Sequence, residues 1–244
     1  MSAQTTESTN FEWKSMFKLG GVSALIITAF FLLDMIVLVA FSPYPETAEE
    51  WFALLQSNRL VGLLSLDILV LAGFPFCYPM FFALYGALKQ VNKVHAAFAT
   101  VLAFSGLTML IATDKSYAII SLSKQFTAAA TEVQKTLLLA SGQSALTMGN
   151  DAGANLGGLF VEGAALILSI LMLQSGSFGK VTAYTGIIGH GFDLARILIN
   201  LLIVPLTDLA WVPSIGFVLL AVGGPLQLIW YALVGRKLLQ LGHH

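Results

Sequence analysis

Apolar residues fill long stretches of this chain, and most charged residues fall in the gaps between them. A helix needs roughly 20 apolar residues to cross a bilayer core. Six stretches read as such helices: residues 19–41, 60–88, 96–113, 152–173, 182–204 and 214–234. Pro43 and Pro45 close the first and Pro205 closes the fifth. Pro75 and Pro79, four apart inside the second, predict a kink with freed backbone carbonyls. Gly223, Gly224 and Pro225 predict another in the sixth.

Two connections read as more than loops. Thr47-Ala48-Glu49-Glu50 has the spacing of a capping box, with Thr47 as N-cap and Glu50 reaching back to it. Trp51, Phe52, Leu54 and Leu55 follow, so a short helix in the membrane interface is expected. Residues 114–150 contain no proline. Thr131-Glu132-Val133-Gln134 is a second capping box, opening a helix towards Met148. This segment reads as a helical cap on the outer face. Gln134, Lys135, Ser141, Gln143 and Ser144 make it too polar for a seventh span. The expected fold class is therefore all-α, a polytopic transmembrane bundle of six spans with an interfacial helix and an outer cap. Residues 19–242 form one domain, preceded by a polar tail over 1–18. His243 and His244 read as the stub of a purification tag.

Composition agrees with the pattern. The 244 residues are 57% hydrophobic and 10% charged, against about 25% charged in an ordinary soluble domain. A net charge of −1 gives no electrostatic case for nucleic acid. The single cysteine, Cys77, excludes an internal disulfide and a thiolate metal cluster. The first ten residues lack the basic start and small-residue cleavage site of a signal peptide, so the first apolar run is expected to stay in the membrane.

Basic residues set the expected orientation. Lys14, Lys18, Lys89, Lys93, Lys180, Arg236 and Lys237 fall on one side, which should be cytoplasmic and carry both termini. Arg59 and the acidic Glu46, Glu49 and Glu50 fall on the other. Tyr44, Trp51 and Trp211 suit the outer interface; Trp13, Trp230 and Tyr231 suit the inner one. Lys115, Lys124 and Lys135 argue the other way, but they lie in a long segment where the rule is weaker.

Candidate chemistry lies in the polar residues inside the apolar runs. A charge at the bilayer centre costs about 2.5–3.5 kcal/mol on insertion scales, so such residues face a protein interior, a partner or water. Asp34, Asp67, Asn155, Glu162, His190, Asp193, Arg196 and Asn200 form the candidate ligand-binding set. The last four are spaced three, three and four apart, which keeps them on one helical face. They fall in the middle or outer half of their spans. This predicts a cavity open outward and closed towards the cytoplasm. Each also has a plainer reading. Asp193 and Arg196 can simply pair; Asp114 and Lys115 can be solvated at the interface; His190 can bond between helices. Glu162 lies deepest with no local partner. Gly153 and Gly157, and Gly186 and Gly189, are packing faces.

Known site types are mostly absent. His95 and His190 are too few for a zinc or bis-His haem site. There is no phosphate loop, dinucleotide fingerprint or nucleophile elbow, and Lys115 sits too near a span end for a retinal Schiff base. The residues name no cofactor.

Leu173-Gln174-Ser175-Gly176, then Phe178-Gly179-Lys180 and Gly186-Ile187-Ile188-Gly189, together with the closing run Gly224-Pro225-Leu226-Gln227-Leu228-Ile229-Trp230-Tyr231-Ala232-Leu233-Val234-Gly235, resemble a bacterial family of six-span membrane proteins catalogued as a domain of unknown function. That family often has an acidic residue where Gln227 stands and a Pro-Arg pair in place of Gly179-Lys180. The resemblance implies six helices in a bacterial inner membrane and supplies no catalytic residues.

Three functions remain open. The first is binding or transport of a small polar or cationic solute, with the bilayer as solvent. The second is an accessory subunit, partnered by another membrane protein or by its own copies. The third is a membrane-embedded acid/base enzyme using Glu162, Asp193 and His190, which ranks last because no nucleophile or metal set is evident.

Overall fold

In the computed structural model, which describes residues 2–204 and 212–243, all regular structure is helical. The order is α1 (Ser2–Phe41), α2 (Ala48–Ser57), α3 (Arg59–Ser65), α4 (Ile68–Leu88), α5 (Lys93–Ala112), α6 (Ser116–Ala128), α7 (Glu132–Thr147), a π-helical turn (Met148–Gly153), α8 (Ala154–Gln174), α9 (Lys180–Leu202) and α10 (Val212–His243). The expected stop at Pro205, the interface residue Trp211 and the terminal His244 lie outside the described residues.

Among the described residues, five segments are long and apolar enough to cross a membrane: Trp13–Phe41, Ile68–Leu88, Lys93–Ala128, Ala154–Gln174 and Ser214–His243. These fit an integral membrane protein, because a helix satisfies its own backbone groups where no water is available. α9 has the length but falls outside this set, since His190, Asp193, Arg196 and Asn200 interrupt its apolar residues.

Six helices close into a ring in the order α1, α4, α5, α8, α9, α10 and back to α1. Neighbours run antiparallel. Gly20 lies against Pro79 and Ala83, whereas Gly73 lies against Phe30 and Phe31; Gly21 meets Gly235, whereas Gly242 meets Lys14 and Lys18. Glycines set the closest approaches: a Cβ on Gly106 would fall 2.6 Å from the Gly157 carbonyl oxygen. The core between the helices is built from Ala, Leu, Phe and Met, with Ile27, Met80, Phe81, Leu168 and Trp230 fully enclosed.

The second expected span behaves differently from its sequence pattern. α4 remains helical through Pro75 and Pro79. The interruption lies at Asp67, between α3 and α4, where φ is 57°. Aspartate tolerates this left-handed conformation better than a β-branched residue does. α10 likewise continues through Pro225.

α2, α3, α6 and α7 pack together at the end of the ring where α4 and α8 begin and α5 ends. Trp51, Phe52, Leu66, Ile119 and Leu146 form their shared core. Both capping boxes are present: Thr47 accepts from the Glu50 amide, and Thr131 accepts from the Gln134 amide. Trp51 and Trp230, two of the tryptophans expected near the membrane interfaces, are buried among neighbouring helices, 4% and 0% exposed. Packing between helices claims their apolar rings.

Candidate functional site

The break at Asp67 and the π-helical turn ahead of α8 lie beside a cavity of about 460 Å³. Its wall draws on every helix of the ring: Asp34 from α1, Phe74 from α4, Leu110 from α5, Ala154 from α8, Arg196 from α9 and Leu220 from α10. Asp67, Thr113, Asp114, Lys115 and Gly149 complete the polar side. π-Helical turns and broken helices recur at functional sites because they leave backbone and side chains in unusual positions.

Charge in this wall is partly compensated. Lys115 Nζ is 3.6 Å from Asp67 Oδ2. Arg196 Nε donates to Asp193 Oδ1, three residues back on α9. Asp114 Oδ1 accepts from the Ser116 amide and so caps the start of α6. Asp34 differs: its Oδ1 is buried and has no hydrogen-bond partner among the described residues. Asp34, Asp67 and Asp114 share the wall with Lys115 and Arg196, and of these carboxylates it is Asp34 that keeps a buried oxygen without a hydrogen-bond partner among the described residues.

A second polar group lies deeper, between α8, α9 and α10. His190 Nδ1 is 2.7 Å from Glu162 Oε2. Gln227 Nε2 donates to the same oxygen at 2.9 Å and to the Gly189 carbonyl at 3.4 Å. His190 is fully buried and meets the Trp230 ring edge-on, with centroids 4.6 Å apart. Tyr231 closes the other side at 6.0 Å. Removing one member of such a buried pair costs about 3–5 kcal/mol, since the other is left unmatched.

The candidate residues thus divide. Asp34, Asp67 and Arg196 border the cavity. Glu162 and His190 join each other beneath it, and Asp193 lies between the two groups through its pairing with Arg196. Asn155 is half-buried in the first turn of α8, next to Ala154 of the wall, and Asn200 is half-buried beyond Arg196 without bordering the cavity. One face of α9 is not one depth: His190 to Asn200 spans about 15 Å at 1.5 Å per residue.

Sequence reasoning left out Thr113, Asp114, Lys115 and Gln227. The first three sit at a span end, where solvation is the plainer reading; only folding carries Asp67 to Lys115. Gln227 did carry a signal, since a lone amide in an apolar run needs a partner for the same reason a charge does. No group of three or more His, Cys, Asp or Glu among the described residues is arranged to hold a metal ion. No protein-family model, curated protein or solved structure matches the chain.

Proposed function

We propose that this chain is a six-span membrane protein whose cavity binds, and in its membrane transports, a small solute carrying positive charge. α9 is then a span as well, the fifth in chain order. Its polar residues turn to α8, α10 and the cavity, while Val181, Tyr184, Ile188, Leu198 and Leu202 are exposed where lipid would lie. α2, α3, α6 and α7 then form the outer cap, with α2 at the interface. Lys14, Lys18, Lys89, Lys93, Lys180, Arg236 and Lys237 mark the opposite, cytoplasmic end. The resemblance of the fourth to sixth spans to the bacterial six-span family supports an inner-membrane location.

The observation that carries the solute reading is Asp34: a buried carboxylate oxygen with no hydrogen-bond partner among the described residues, on the wall of a cavity that all six ring helices build. A bound ammonium group would supply its missing partner and offset the excess of carboxylates. Acid/base catalysis is less well supported. Glu162 and His190 are within proton-transfer distance, but neither borders the cavity, so a substrate there does not reach them.

The test is binding to purified protein in lipid nanodiscs, using a panel of primary amines and quaternary ammonium ions such as tetramethylammonium. At least one should bind, and Asp34→Asn should weaken it about tenfold, equivalent to ~1.4 kcal/mol. Absence of binding across the panel, or binding indifferent to Asp34→Asn and Asp67→Asn, refutes the reading.

A further inference from the structure

The Glu162–His190 contact asks for a proton that the cavity does not. An imidazole nitrogen and a carboxylate oxygen come to 2.7 Å only with a hydrogen between them. If His190 carries that hydrogen alone and Glu162 is ionised, the pair has a net negative charge inside the bundle. Arg196, a cation whose charge reaches Glu162, is already engaged by Asp193. A second proton cancels the charge, and burial of an uncancelled charge is costly.

We infer that Glu162 and His190 together form a proton-binding site in the middle of the bundle, linked electrostatically to the Asp193–Arg196 pair whose guanidinium borders the cavity. The proton comes from water and returns to it, and only an N–H or O–H bond is made or broken. Gln227 holds the carboxylate in place by donating to the shared oxygen. His190 Nε2 has no hydrogen-bond partner among the described residues, so it is the nitrogen that gains or loses the proton while Nδ1 stays on Glu162. One turn along α9, a Cβ on Gly186 would fall 2.1 Å from Ser169 Oγ and 2.4 Å from Trp230 Nε1. Those two buried polar atoms also have no partner among the described residues. Three such atoms within adjacent turns suit bridging water, which gives the proton a polar route past His190 on the side away from the cavity.

The groups facing the pair are few. α9 supplies Asp193 and Arg196, α10 supplies Tyr231, and α4 supplies Cys77. α8 carries no other ionisable side chain, and those of α5, Lys93 and His95, stand at its far end. Among the described residues, Arg196 is therefore the cation placed to tune the site. Its loss should tighten proton binding, because positive charge nearby opposes a second positive charge. The inference does not depend on what the cavity binds.

Imidazole-¹⁵N NMR of the full chain in nanodiscs tests it, with the His190 signals assigned by their loss in His190→Gln. His190 should titrate as a one-proton site. Glu162→Gln should change its proton affinity at least tenfold. Arg196→Gln should bind the proton several-fold more tightly, and Arg196→Lys should restore the wild-type midpoint. A His190 spectrum constant over the whole pH range of the folded protein overturns the site. Titration that ignores both Arg196 variants overturns the link. If Glu162→Gln does not fold, infrared spectra of the wild type decide instead: a carboxyl band that rises and falls with the His190 titration supports the pair, and its independence from that titration refutes it.

Discussion

Lys115 on the approach to α6 lies 3.6 Å from Asp67 at the break between α3 and α4, so one ion pair joins two interruptions of the helical ring across the cavity wall. Asp67 is about half exposed there, with 45% of its side chain accessible. Lys115 is more enclosed, with 16% of its side chain accessible. Lys115→Met keeps a long side chain in that space without the charge. It should strengthen binding of tetramethylammonium or a related cation by several-fold, because it removes a competing positive charge. Weaker binding in this variant would contradict a cation-selective cavity.

Glycines at the helix contacts separate packing from backbone flexibility. At Gly106 a methyl group would meet the Gly157 carbonyl, which belongs to the backbone of α8 and cannot rotate away. Gly106→Ala should cost about 1–3 kcal/mol, as overpacking does. Gly191 lies inside α9 with nothing within 4 Å of an added Cβ, so Gly191→Ala should stabilise the helix by about 0.5–1 kcal/mol. Thermal unfolding of the two variants in one detergent should move in opposite directions.

The start of α2 carries a pH dependence. Glu50 accepts hydrogen bonds from the backbone amides of Glu46 and Thr47, and these hold its carboxyl below the usual carboxylate range. A group whose folded value is depressed stabilises the fold above its unfolded value and loses that contribution as pH falls through the folded one. Hydrogen exchange of α2 amides should therefore accelerate, relative to intrinsic exchange, on acidification through and below the ordinary glutamate range. Glu50→Gln should remove that dependence. Thr47→Ala should loosen the same turn at every pH, by about 1 kcal/mol.

Cys77 is 2% exposed and faces the core of the ring from α4. A charged, bilayer-impermeant maleimide should leave it unlabelled in the folded protein and label it once denaturant opens the bundle. Its labelling rate against denaturant is thus a direct measure of ring opening, with no other thiol to interfere. Rapid labelling under native conditions would mean that α4 does not pack as described.

Much of this architecture was legible before folding. The apolar lengths of α1, α4, α5, α8 and α10 announce themselves, since lipid demands uninterrupted apolar surface. Thr47 with Glu50 and Thr131 with Gln134 marked two helix starts, because a capping box is a local bond between residues three apart. The break at Asp67, eight residues before Pro75, carried no such mark. The burial of Trp51 and Trp230 was not legible, because sequence does not say which neighbouring helix will cover an indole.

Composition and periodicity determined that the chain is helical and lipid-compatible, and that its few charges must be sheltered, because those requirements act on each segment separately. Only the tertiary structure decided which shelters which. The order of helices around the ring gave Glu162 to His190 and Gln227, gave Lys115 to Asp67, and left Asp34 Oδ1 at the cavity wall without a hydrogen-bond partner among the described residues. Those pairings depend on which helix lies beside which and at what depth, and neither is encoded in the pattern of any single helix.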